Sequence, residues 1–304
     1  MNSYLLRVGG LGLFSLVSIV LTELIKEHYF VYKNNSMVTH NLKIIYPHMN
    51  SIGFDSIIGY KEIKNILSRN IKSFKKKEKL NGILFYGPPG NGKTNFVLGL
   101  SKEAGVPVIL IDVNNLKTEP KYLLKNIQTV FKKAQELSPC ILFIDEIDLL
   151  LKNRAYMRLS DSQESMLTLF LQRLDGLHSN ENKGILVVGC TNNIDFIDSA
   201  IIRHGRLGKK IYIDSPTEKD IEELFEKKFR QYFMFKDLFA KNRVAQKMHQ
   251  HKIPVVSVLE YIKDLNEELD EDHQLREKLT GYDNKNEDKV ESIIINLNKE
   301  FGIN

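Results

Sequence analysis

Cysteine is almost missing from this chain, with Cys140 and Cys190 the only two in 304 residues. They form no C-x-x-C and no spacing of the secreted type, which excludes a zinc ribbon and a disulfide framework. If their strands are parallel neighbours, one thiol opens a strand and the other closes the next. That separates them by roughly 13–17 Å at ~3.3 Å per residue, too far to bridge, so both are expected as reduced, buried small hydrophobes. No H-E-x-x-H occurs, which leaves these residues without a zinc protease of that kind. Charge of one sign is not in excess either: 43 basic against 38 acidic residues give a formal net charge of +5. Beyond Lys72–Lys79, which reads as a solvated helix end or a contact for acidic groups, there is no basic stripe to suggest a nucleic-acid partner. No internal repeat of fixed period is present. The 42% apolar content is ordinary for a globular protein of one large and one smaller domain.

The one long uncharged run lies between Arg7 and Glu23, shorter than the about 20 residues a membrane span wants. Tyr4, Leu5 and Leu6 before it and Leu24 and Ile25 after it extend its apolar length if Arg7 and Glu23 snorkel. We read residues 1–30 as a hydrophobic N-terminal anchor helix, with an uncleaved targeting signal or a helix packed on protein as the alternatives. A cleaved signal would need a small-x-small site, which is absent. Lys26 and Lys33 outweigh Arg7, which puts the remainder of the chain on the cytosolic or matrix side.

Residues 31–52, polar and Asn-rich with Pro47, read as a linker or a short packed arm. Ile63, Ile66, Leu67, Ile71 and Phe74 then recur at helical spacing over Lys61–Phe74. From Gly82 apolar strands (Ile83–Tyr86, Val108–Asp112, Cys140–Ile144, Ile185–Gly189, Lys210–Ile213) alternate with helices around Thr94–Glu103, Pro120–Glu136 and Ser162–Leu174. Such alternation predicts an α/β domain, a doubly wound parallel sheet covered on both faces, over residues 53–215. After Pro216 the pattern is helical only, at Glu218–Phe233, Phe235–His249 and Val256–Leu269. A helical lid domain is therefore expected over 216–285, with a charged tail at 286–304.

Residues 87–94 read GPPGNGKT, from Gly87, Pro88, Pro89, Gly90, Asn91 and Gly92 to Lys93 and Thr94. The octet follows an apolar strand and precedes a helix, the context in which G-x-x-x-x-G-K-[ST] cradles phosphate. Backbone N–H groups of such a loop and the positive end of the helix point at phosphate oxygens. Lys93 reaches the β- and γ-phosphates, and the Thr94 hydroxyl ligates Mg²⁺. The strand Ile141–Ile144 ends in Asp145 and Glu146. Asp145 is suited to hold Mg²⁺, and Glu146 to orient the water that attacks the γ-phosphate. Asn192, after the next strand, carries an amide that can bond both phosphate and water. Arg203 and Arg206 stand ahead of the last strand and stay charged at any physiological pH.

Together GPPGNGKT, ILFIDEID, TNN and IDSAIIRHGRLGKKIYI resemble the AAA family of ATPases, in the order and spacing of its Walker A, Walker B, first sensor and second region of homology. The likeness covers roughly residues 53–270. It implies ATP as fuel with Mg²⁺, and a P-loop NTPase fold with a helical lid. It also implies a homo-oligomeric ring, a hexamer in most members, in which Arg203 and Arg206 act on the neighbour's γ-phosphate. Adenine contacts at Ile58 and Gly59 come from the resemblance alone, as does a protein substrate at a membrane. The chain departs from the family in four places. His204 replaces proline, Gly208 replaces an acidic residue, Asn115–Tyr122 lacks the aromatic-hydrophobic-glycine triplet of pore loops, and Val255–Glu260 carries no second-sensor arginine. Rival readings are a replication or loader ATPase acting on nucleic acid, and a nucleotide-binding scaffold of low turnover.

Overall fold

In the computed structural model the described residues are 43–75, 81–111, 120–151, 161–176, 184–229, 232–271 and 284–303. The expected anchor at 1–30 and the pore segment at 115–119 lie outside them. Strands β1 (Lys43–Ile45), β2 (Ile83–Tyr86), β3 (Val108–Ile111), β4 (Cys140–Ile144), β5 (Ile185–Thr191) and β6 (Lys209–Tyr212) form one sheet in the order β1-β3-β4-β5-β2-β6. All pairings are parallel except β1 on β3. Strand side chains alternate between two cores. Ile83 and Phe85, Ile141 and Phe143, and Leu186 and Val188 face one side, where they meet Leu67 and Ile71 of α1 (Lys61–Lys75) and Phe96 and Leu100 of α2 (Lys93–Ala104). Leu84, Leu142, Ile144 and Val187 face the other, under α3 (Pro120–Glu136) and α5 (Asp161–Gly176). Because both faces are covered, these strands read as unbroken apolar runs rather than alternating ones.

The two cysteines are free and buried, and their strands are parallel neighbours with Cys140 opposite Ile185. Burial pushes the Cys140 thiol up to about 12 and the Cys190 thiol well above its ordinary value, so both stay protonated and inert.

The two helices expected at Glu218–Phe233 and Phe235–His249 are three, Glu218–Lys228, Tyr232–Lys241 and Val244–Gln250, and two further stretches differ from the sequence reading. Residues 43–45, inside the expected linker, make an antiparallel edge strand against Val108–Leu110. Three residues ahead of Pro47 carry too little periodicity to announce a strand. The expected charged tail, 286–304, falls almost wholly within α10 (Asn284–Glu300) and the turn after it. Val290, Ile294, Leu297 and Ile303 are buried in the lid core, and the Tyr261 hydroxyl donates to Asn298 Oδ1 at 3.1 Å in its interior. The charges of α10 line one side and its apolar spacing was masked by them.

The rest of the lid consists of α6 (Glu218–Lys228), α7 (Tyr232–Lys241), α8 (Val244–Gln250) and α9 (Val255–Glu271). Phe225, Phe229, Phe239 and Tyr261 pack edge to face at its centre, a geometry that adds to simple burial. Thr217 opens α6 with a capping box to Asp220, which satisfies two N-terminal donors at once. Ile294→Ala is expected to cost the lid about 2–5 kcal/mol. Hydrogen exchange should then quicken across 255–271 and 284–300 together. Unchanged protection of α9 would show that α10 is not part of that core.

Candidate nucleotide-binding site

Parallel strands bring the motif residues together at their carboxyl ends, where doubly wound sheets bind ligands. Thr191 of β5 pairs with Tyr86 of β2, and Gly189 with Ile144 of β4, so Asn192, Gly87 and Asp145 each leave the sheet at adjacent positions. The loop from Gly87 to Gly92 turns directly into α2. Gly87 has φ +137°, and a Cβ there would run into the Ile213 carbonyl oxygen; only glycine lets the loop leave β2 against the end of β6.

Lys93 Nζ donates to the carbonyls of Gly87 and Pro88, at 2.8 Å each. Its ammonium thus stands within the curve of the loop. Burial lowers its pKa, with Cys190 and Asp145 acting in the opposite sense. Thr94 Oγ1 donates to Asp145 Oδ2 at 3.3 Å, and the other Asp145 oxygen accepts the Glu146 N–H at 3.0 Å. Glu146 itself has φ +48° and ψ +46°. A left-handed glutamate costs of order 1–3 kcal/mol and is kept where the surroundings demand it. Here it joins β4 to the short helix α4 (Ile147–Leu150) and leaves the carboxylate exposed at the strand end.

Four features were not foreseen from the sequence. First, Thr191 Oγ1 donates to Asp148 Oδ1 at 2.6 Å and accepts the Asn193 N–H at 3.1 Å. That ties the turn carrying Asn192 to the turn carrying Glu146. Second, the lid touches the loop: Val256 N–H donates to the Gly90 carbonyl and Val255 N–H to Asn91 Oδ1, both at 3.1 Å. Pro254 before the first turn of α9 was the available sign of a helix start. Third, Ile58 packs in the lid core while Gly59 lies against Asp220, whose Oδ1 accepts the Tyr60 N–H at 3.3 Å. The segment expected at adenine therefore sits at the seam between large domain and lid.

The fourth is the hold of Asp175 on Arg206, in a segment that lies away from this phosphate loop. The Arg206 carbonyl accepts the Gly82 N–H at 2.7 Å, at the amino end of β2. The phosphate loop begins at the other end, about 16 Å away at ~3.3 Å per residue, more than an arginine side chain spans. Arg206 is held by Asp175 of α5, with Nε and Nη2 donating to its two carboxylate oxygens at 2.7 and 2.8 Å. A third bond runs from Nη1 to the Ala200 carbonyl at 2.8 Å. The hydrogen bond to Asp175 raises the Arg206 pKa further. Arg203 is exposed.

A glycine loop with its lysine, a hydroxyl beside a strand-end carboxylate and an adjacent amide define a P-loop nucleoside triphosphatase site. Residues 83–215 match the family described as "ATPase family associated with various cellular activities (AAA)", and the chain carries an ATPase domain of that family. It is similar to the ATP-dependent zinc metalloprotease FtsH of Rhodothermus marinus, 30% identical over 65% of this chain and 30% of that protein. FtsH 3 of Symbiobacterium thermophilum is 33% identical over 58% of this chain and 29% of its own length. The chloroplastic metalloprotease FTSH 2 of Arabidopsis thaliana is 33% identical over 55% and 26%. The chain thus spans about a third or less of the length of these relatives.

ATP and Mg²⁺ fit the residues present. Asn91 Nδ2, buried in the loop, has no hydrogen-bond partner among the described residues, and a phosphate oxygen would supply one. Among the described residues no group of three His, Cys, Asp or Glu stands ready for a metal. One hydroxyl and one carboxylate completed by phosphate oxygens and water is the set Mg²⁺ accepts. Thr191→Val should cost about 1–3 kcal/mol by leaving Asp148 and the Asn193 N–H unpaired, and should depress phosphate release. Thr191→Ser should retain both stability and turnover. Equal turnover in the valine and serine variants would dissociate this hydroxyl from the site.

Proposed function

We propose that the chain is one subunit of a homo-oligomeric ring, a hexamer by the family's habit, which hydrolyses ATP and spends the energy on remodelling, extracting or translocating a protein at a membrane. The observation that carries the shared site is the position of Arg203 and Arg206 at the opposite end of β2 from the phosphate loop. A subunit that cannot reach its own γ-phosphate with these cations offers them to a neighbour.

In this reading the loop from Gly87 to Gly92 binds the phosphates and Lys93 neutralises the β- and γ-oxygens. Mg²⁺ on Thr94 and Asp145 would draw charge from the phosphate oxygens. The Glu146 carboxylate orients a water and accepts its proton as the water oxygen bonds to the γ-phosphorus. The bond from that phosphorus to the bridging oxygen breaks, and ADP leaves with the electron pair. Asn192 holds the γ-phosphate and the water in line. Arg203 and Arg206 of the adjacent subunit stabilise the charge on the transferring group, and Ile58 and Gly59 contact adenine.

A protein substrate is supported by the metalloprotease names of the relatives. The membrane is supported by the uncharged run between Arg7 and Glu23; among the described residues no helix is long and apolar enough to cross one.

Glu146→Gln is expected to lower turnover by roughly a hundredfold or more, the usual weight of a positioned base, while bound ATP stays with the protein through gel filtration. Wild-type phosphate release by this variant would remove Glu146 from the chemistry. Separately, a chain without residues 1–30 should leave the membrane pellet for the soluble fraction; continued flotation with lipid would contradict the anchor.

A further inference from the structure

Of the two departures in the arginine segment, His204 is accounted for by a contact outside the segment and Gly208 by a close approach within it. Asn81, just ahead of β2, reaches across to it with both ends of its amide. Its Oδ1 accepts the Gly205 N–H at 3.1 Å, and its Nδ2 lies 3.3 Å from His204 Nε2. A backbone N–H can only donate, so the Gly205 contact fixes which end of the amide is oxygen. Nδ2 therefore donates, and His204 accepts through Nε2, carrying its proton on Nδ1.

Gly208 completes the arrangement. A Cβ on it would stand 2.9 Å from His204 Cα and 3.0 Å from the Arg203 carbonyl oxygen. Any larger residue would force the backbone at Arg203 and His204 to shift. Backbone bonds run beside the clasp: Gly82 N–H to the Arg206 carbonyl at 2.7 Å, Lys209 N–H to the Gly82 carbonyl at 3.1 Å and Arg206 N–H to the Arg203 carbonyl at 3.1 Å.

We propose that Asn81 is a positioning residue for the arginine segment: its amide clasps His204 and Gly205 and so sets where Arg203 and Arg206 are presented to the neighbouring subunit. The clasp takes over the stiffening that a proline at position 204 would give by restricting φ. It also ties the arginines to β2, the strand whose far end becomes the phosphate loop. The proposal rests on the reading of Arg203 and Arg206 as groups that work in a neighbour's site.

The test uses the full chain in three variants, Asn81→Ala, Asn81→Leu and Arg206→Ala, each alone and each mixed with an excess of Lys93→Ala subunits. Asn81→Leu keeps the bulk of the side chain and loses both contacts, so it reports on the clasp even if the alanine variant folds poorly. Each Asn81 variant should lose kcat by about tenfold, within the range that small misplacements of catalytic groups produce, with KM for ATP unchanged. Mixing should restore turnover, because Lys93→Ala subunits are inactive themselves but present intact arginines to the Asn81 variant's sound nucleotide site. A fall in kcat short of about threefold in both variants overturns the proposal on that scale. So does a loss that mixing does not restore while Arg206→Ala is restored, since Asn81 would then act on its own subunit's site. Failure of Arg206→Ala to recover in the same mixture overturns the trans reading underneath it, and the proposal with it.

Discussion

Strand β2 is the constraint on which the rest of this structure depends. Ile83, Leu84 and Phe85 are fully buried between β5 and β6, packed into both cores at once. A strand so enclosed has no freedom to bend, since interiors are packed to crystal density and every shift must be taken up by neighbours. Its carboxyl end becomes the phosphate loop, and its amino end is bonded to the arginine segment. The length of one short strand therefore keeps the two charged parts of the site from meeting within one subunit. In the proposed ring, that separation is what gives the arginines to a neighbour's loop.

The lid is joined to the same loop from the other side. The first N–H groups of α9 are spent on Gly90 and Asn91 instead of solvent, and Asp220 at the start of α6 holds the Tyr60 backbone. A helix start carries partial positive charge, and α9 brings that end against the phosphate loop without any arginine. A change in the conformation of Gly90 or Asn91 must either break these bonds or carry α9 with it. The lid core, centred on Phe225, Phe239 and Tyr261, would then follow as one body.

The strands were legible because both their faces are buried. Ile83–Tyr86 and Cys140–Ile144 begin and end where their apolar runs do. The phosphate loop and the Asp145–Glu146 pair were legible because their chemistry demands particular residues at particular spacing. Other features depend on contacts between distant positions, which no local pattern encodes. Asp175 and Arg206 lie on different elements, as do Asp148 and Thr191, and neither acid differs in sequence from an ordinary helix residue. The strand at 43–45 was too short to show a period, and α10 hid Val290, Ile294 and Leu297 among charges. His204 could be seen as a departure, but its partner Asn81 stands 123 residues away in sequence.

The likeness to ATP-dependent metalloproteases is a likeness of the ATPase part, and no H-E-x-x-H occurs in these residues. What the chain shares with them is a stretch that includes the ATPase domain, and the central claim of the proposed ring is that one subunit is not enough. The most direct measurement is phosphate release per mole of protein as the concentration is raised from dilute to assembled. The account predicts almost none from the isolated chain and a steep rise as subunits associate. A turnover per mole that stays constant across the whole range would contradict it.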